Sequence, residues 1–165
     1  MLKVGIITAS DKGSRGERED LSAEVIRELV QKIDGEVKAY DVLPDERELL
    51  RDKLLDYCDY QGLDLVLTTG GTGFSPRDIT PEATLDVIER QTPGLTEAMR
   101  AESIRITPRG MLSREAAGIR GQTLIINLPG SPKAVRECLE VVLPSLVHGI
   151  EILQGTAGEC ASEEK

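Results

Sequence analysis

A chain of 165 residues, 39% hydrophobic and 30% charged, has the size and composition of one globular domain with a real core. Its formal charge of −9, with basic residues scattered among carboxylates, argues against a nucleic-acid or anionic-membrane surface. No apolar run approaches the roughly 20 residues of a membrane span, and Cys58, Cys138 and Cys160 lack CxxC spacing, which suits a cytoplasmic chain with free thiols.

The first element, LKVGIITA (2–9), is a strand; its apolar run is too short for a secretory signal. Leu21, Val25, Ile26, Leu29, Val30 and Ile33 then recur at helical spacing. EVKAYDVL (36–43) is a second strand, and Pro44-Asp45 opens a helix carrying Leu50, Leu54 and Cys58. LDLVLTT (63–69) is the third strand. Thr80 and Pro81 form an N-cap and first-turn pair for a helix to about Glu89. Another helix is expected from Leu95 to before Pro108, and QTLIINL (122–128) is the fourth strand. The last helix carries Val135 to Leu153 in an apolar stripe, with Pro144 expected to bend it. Alternating strands and helices, with nearly continuous apolar strands, predict a three-layer αβα domain with a mostly parallel central sheet, Rossmann-like in plan. The domain spans 1–154, and the polar tail 155–165 is expected to be disordered.

Ligands of open parallel sheets collect beyond the carboxyl ends of the strands. Three loops fall there: SDKGSRGERED, TGGTGFSPRDIT and NLPGSPK. Thr69-Gly70-Gly71-Thr72-Gly73 can bring backbone amides to a phosphate chain, since a Cβ would block that approach, and its threonine hydroxyls add donors. The pattern is neither a Walker A loop nor GxGxxG, and a tight strand-to-helix turn explains it equally well in isolation. Asp78 follows at the same rim and Asp45 lies after the second strand, a pair of oxygen donors suited to a divalent cation such as Mg²⁺. Their structural alternatives are a capping or Arg77-paired residue for Asp78 and a helix-entry residue for Asp45. In NLPGSPK, Gly130 frees the backbone, Ser131 caps, Pro132 starts the helix and Lys133 supplies a charge for an anion. The single histidine, His148, falls within the last apolar helix as a structural residue, which argues against a Ser-His-Asp triad and a His-rich zinc site. Chemistry is left to carboxylates, metal and positioning, as in phosphoryl or nucleotidyl transfer.

SDKGSRGERED, PDER, TTGGTGFSPRDITPEAT, TPGLTEAMR, MLSREAAGIRG and LIINLPGSPKAVREC together resemble the molybdopterin adenylyltransferase family of molybdenum cofactor biosynthesis, including the G domains of the plant two-domain enzyme and of gephyrin. The resemblance implies AMP transfer from ATP to the terminal phosphate of molybdopterin, with Mg²⁺ and release of pyrophosphate. It assigns Asp45 and Asp78 as catalytic and metal-holding residues, the TGGTG loop to nucleotide phosphate, and Ser10 and Asp11 to the same crevice. Ser113 and Asn127 match positions linked to molybdopterin, and the adjoining Pro129, Gly130, Ser131 and Lys133 are assigned to that side. It further implies a homotrimer and hand-over of product to a molybdenum-inserting protein, with no nucleic-acid or membrane partner. Two alternatives stand beside it: a same-fold nucleotide pyrophosphatase of the CinA type, which carries adjacent acids where this chain has Arg77-Asp78, and a non-catalytic pterin- or nucleotide-binding module.

Overall fold

The computed structural model describes residues 1–158; the rest of the expected tail, with Cys160, lies outside the described residues. The aliphatic runs form the strands β1 (Leu2–Ala9), β2 (Gly35–Leu43), β3 (Leu65–Thr69) and β6 (Thr123–Leu128). Two further strands, β4 (Arg90–Gln91) and β5 (Ala117–Arg120), complete a six-stranded sheet of order β2-β1-β3-β6-β5-β4. β1 pairs parallel with β2 and β3, and β3 with β6. β5 and β4 continue the sheet antiparallel, an extension the sequence reading does not contain.

Helices cover both faces. A single turn, α1 (Asp11–Ser14), follows β1 at the rim. On one face, α2 (Leu21–Gln31), α5 (Pro93–Ile106) and α6 (Pro132–Gln154) bury Ile26, Leu29, Met99, Leu139 and Leu146 against Val4, Ile6, Leu65, Leu67 and Ile126. On the other, α3 (Arg47–Leu55), a following π turn and α4 (Thr80–Val87) bury Leu50, Leu54, Tyr57, Ala83 and Val87 against Ile7, Val66 and Ile125. Alternate residues of β1 and β3 therefore serve opposite cores, and this period-two division makes continuous apolar strands a signal of two-sided burial. Fully burying one such aliphatic side chain contributes about 1.5–3 kcal/mol, which makes these strands the rigid base for the loops above them.

Several helix ends depart from expectation. Thr80 is not a cap: α4 begins at it, Ile79 occupies the N-cap without a side-chain bond, and the Thr80 hydroxyl is buried without a partner. Asp45 caps no helix either, since the residue before α3 is Glu46. Ser131 caps as predicted, accepting the Ala134 N–H at 3.2 Å with Pro132 first in α6. α6 runs on through Pro144 to Gln154, and Gly155 closes it in the left-handed region. Thr156 and Ala157 donate back to the Glu151 carbonyl, so the start of the expected disordered tail is a helix cap.

Candidate active site

The chain leaves β1 toward one edge, through α2 to β2, and returns by α3 to β3 on β1's other side. Loops after β1 and β3 therefore part in opposite directions, and a crevice opens between them at this switch point. A cavity of about 570 Å³ lies there, lined by Ser10, Gly13, Arg18, Asp20, Asp45, Gly70, Gly71, Asp78, Gly130 and Ser131 among others. The three loops singled out in the sequence meet on its walls. Its volume falls in the range of roughly 300–1,000 Å³ typical of small-molecule sites.

Asp45 holds the centre. Its backbone N–H donates to Asp11 Oδ1 at 3.0 Å, and Asp11 N–H donates to Asp45 Oδ2 at 3.1 Å, so the loops after β1 and β2 clasp each other reciprocally. Burial, then the like charges of Asp11 and Asp78, push the Asp45 carboxyl above the ordinary aspartate value, against the Asp11 N–H bond. Asp11 is pulled the opposite way, to about 2, chiefly by Arg77, whose Nε and second terminal nitrogen donate to its carboxylate at 2.6 and 2.9 Å. Arg77 is thus the partner of Asp11, across 66 residues, and not of its neighbour Asp78.

The glycine loop is shaped by contact at two positions. Gly70 has φ +91°, and a Cβ there would strike the Ala9 carbonyl; Gly71 has φ +69°, and a Cβ there would strike the Thr80 hydroxyl and come within 3.1 Å of Asp45 Oδ1. Both conformations favour glycine, and both glycines keep the strand ends close together. The Gly70 amide is spent on the Leu128 carbonyl at 3.2 Å and the Thr69 hydroxyl on the Pro129 carbonyl at 2.7 Å. The phosphate-facing donors expected from Thr69 and Gly70 are therefore used internally, and Thr72 and Gly73, also expected at the phosphate, lie off the described wall, which leaves Gly71 as the loop amide there. Asp78 Oδ2 caps this turn by accepting the Ser75 N–H at 3.0 Å.

Arg114 braces the loop from behind. Its Nε donates to the Gly73 carbonyl at 2.7 Å, a terminal nitrogen to the Asp78 carbonyl at 2.6 Å, and the other pairs with Glu82, while its backbone N–H reaches the Thr72 carbonyl at 2.9 Å. Sequence reasoning passes over this residue, although it stands in the MLSREAAGIRG stretch beside Ser113.

The pterin-side assignments divide. Gly130 and Ser131 line the cavity. Asn127 does not: it is fully buried, donating to the hydroxyls of Thr68 at 2.9 Å and Thr84 at 2.8 Å and accepting the Ala116 N–H at 3.1 Å. Its side chain is fully engaged in stitching β3, β6 and α4 together. The Ser113 hydroxyl is buried without a partner, away from the cavity wall, and Pro129 contributes its carbonyl to Thr69. Lys133 also lies off the wall, exposed and 3.7 Å from Glu137.

Among the described residues no three His, Cys, Asp or Glu side chains gather as a metal cage. The donor set still suits a hard cation, because Asp45 Oδ1 faces the hollow that a Cβ on Gly71 would fill and Mg²⁺ commonly takes one or two carboxylates plus phosphate oxygens. No described helix is long and apolar enough to cross a membrane.

A mostly parallel sheet with a small-molecule-sized cavity at its switch point, walled by carboxylates and a glycine turn, defines an α/β protein with a ligand crevice beyond its strand ends. The chain belongs to the family of molybdopterin adenylyltransferases and related molybdopterin-binding domains: residues 5–148 match the family model described as "Probable molybdopterin binding domain". A molybdopterin adenylyltransferase of Helicobacter pylori (strain J99) is 44% identical over 156 residues, covering 93% of this chain and 89% of that protein. The crystal structure of the molybdopterin biosynthesis enzyme MoaB from Thermus thermophilus is 52% identical with a TM-score of 0.89, over 94% of this chain and 98% of that one. The CinA protein of Thermoplasma acidophilum, 17% identical with a TM-score of 0.66 over 87% of this chain and 97% of that one, shares the fold alone.

Proposed function

We propose that this chain is a nucleotidyltransferase that moves AMP from ATP to molybdopterin, giving adenylyl-molybdopterin and pyrophosphate. The observation that carries the reading is the presence of Asp45 and Asp78 on the wall of one cavity with the Gly70-Gly71 turn. The relatives' names support the pterin, and the glycine turn on the cavity wall supports a phosphate beside it.

In this reaction a phosphate oxygen of molybdopterin forms a bond to the α-phosphorus of ATP while the bond from that phosphorus to the β-bridging oxygen breaks. The electron pair leaves with pyrophosphate, so no side-chain nucleophile is needed. The Gly71 amide on the cavity wall meets the phosphate chain, and the Asp11–Asp45 clasp holds the Asp45 carboxylate toward it. Arg114 keeps that loop from shifting as charge redistributes. Asp45 and Asp78 would hold a divalent cation such as Mg²⁺, which when bound neutralises phosphate charge. Preorganised donors and positioning supply the rest of the acceleration. The same reading takes the protein to be a cytoplasmic homotrimer that delivers its product to a molybdenum-inserting protein.

Pyrophosphate release from ATP, measured with and without molybdopterin, tests the proposal. Release that depends on molybdopterin is the expected result; hydrolysis of ADP-ribose with no such release would assign the site to a pyrophosphatase.

A further inference from the structure

The proposed reaction brings a polyphosphate anion into a cavity whose wall is acidic. Glu19, Asp20, Asp45 and Asp78 line it, and Arg18 is the only basic side chain among its described lining residues. The charge expected from the sequence is Lys133, but that ammonium lies off the wall beside Glu137.

Arg18 differs from its neighbours in having no partner. Arg15 is engaged by Glu17, Arg77 by Asp11 and Arg47 by Asp86. Arg18 has no carboxylate within ion-pair distance among the described residues, and its side chain is exposed. The backbone that carries it is nevertheless anchored. Two residues on, Asp20 accepts the Thr8 hydroxyl at 2.5 Å, the Tyr40 hydroxyl at 2.6 Å and the Ala23 N–H at 3.0 Å. Ser22 then donates to the Gly130 carbonyl at 2.7 Å, which fastens this wall to the turn opposite. Asp20 is thereby consumed as a structural post, while the guanidinium two residues before it keeps all its donors for a ligand. An unpaired guanidinium over a cavity suits a phosphate group, which its planar fork can engage bidentately.

We infer that Arg18 is the positive contact for the polyphosphate of the nucleotide, an inference that rests on the function proposed above. It contributes binding before any chemistry begins, so Arg18→Gln raises KM for ATP more than it lowers kcat.

The direct test is calorimetric titration of inorganic tripolyphosphate, with MgCl₂ at low ionic strength, into the wild-type chain, Arg18→Gln, Arg18→Lys and Arg90→Gln. Arg90 lies on the far edge strand and matches the change in net charge. Losing one charged phosphate contact weakens tripolyphosphate binding roughly tenfold in Arg18→Gln, with an intermediate loss in Arg18→Lys, which keeps the charge but not the fork, and the affinity kept in Arg90→Gln. Inorganic phosphate in a parallel titration represents a monoester such as that of the pterin. Weakening of inorganic phosphate alone, or equal weakening in Arg90→Gln, overturns the inference. Because tripolyphosphate binding needs no turnover, a chain that binds it through Arg18 yet releases no pyrophosphate would sink the proposed function and leave this contact standing.

Discussion

The two sides of the glycine loop use arginine differently. In front, Arg77 holds Asp11 in an exposed pair at the rim of the cavity, with more than half of the arginine side chain in solvent. Behind, Arg114 is two-thirds covered and gives its donors to two backbone carbonyls and Glu82. A surface pair is screened by salt and contributes little, whereas removing a donor shared by two half-buried carbonyls and a carboxylate takes a partner from each. The front is therefore an adjustable electrostatic rim and the back a structural brace, although both look like arginine–carboxylate pairs in a contact map.

The comparison is broken or sharpened by substitution. The largest effect belongs to the front: Asp45→Asn lowers adenylyl transfer by roughly 10²-fold or more, as loss of a key electrostatic group does. Its folded pKa is raised, so its ionised form opposes folding once pH exceeds that value; the melting temperature of Asp45→Asn at neutral pH stays level or rises. Near-wild-type turnover in this variant would remove Asp45 from the mechanism. Next comes the back. Arg114→Met strands the Gly73 and Asp78 carbonyls and should lower stability by about 2 kcal/mol in urea unfolding. If it unfolds at the wild-type midpoint, the brace is not structural.

Between the two lies the loop itself. Gly71→Ala combines a positive φ with a Cβ driven against Thr80 and Asp45, and should destabilise by about 1–3 kcal/mol, read from thermal unfolding. The smallest effect is at the rim. Arg77→Gln should barely move the melting temperature, yet return the Asp11 carboxyl from about 2 toward the ordinary aspartate range by carboxyl NMR titration. The signs separate the two aspartates. Stabilisation through Asp11 is present above its unfolded pKa and fades as pH falls toward 2. The Asp45 carboxyl of the metal-free chain instead titrates above the ordinary aspartate value by the same carboxyl NMR, because burial disfavours its charge. A midpoint at or below that value would contradict the burial argument.

Much of this architecture is legible in the chain. β1 has the ends that its aliphatic run predicts, and β2, β3, β6 and the five long helices lie within a few residues of expectation. The antiparallel edge was not legible, because Arg90–Gln91 is short and polar and Ala117–Arg120 gains its strand character only by pairing with β6. The meeting of Asp45 and Asp78 followed from placing strand ends at one rim. The burial of Asn127 did not, because an asparagine before a glycine-containing turn reads the same whether it faces ligand or core.

What the sequence by itself determined is the alternation of strands and helices, the chemistry available at three loops and the family to which those loops belong. Hydrophobic period and turn residues act over a few positions, so they are written locally. What the tertiary structure alone decided is which charges meet: Arg77 with Asp11 and not Asp78, Arg18 and not Lys133 on the cavity wall, Arg114 behind the loop. Charge partners are chosen by distance in space across tens of residues, and Coulomb attraction carries no period along the chain from which to read them.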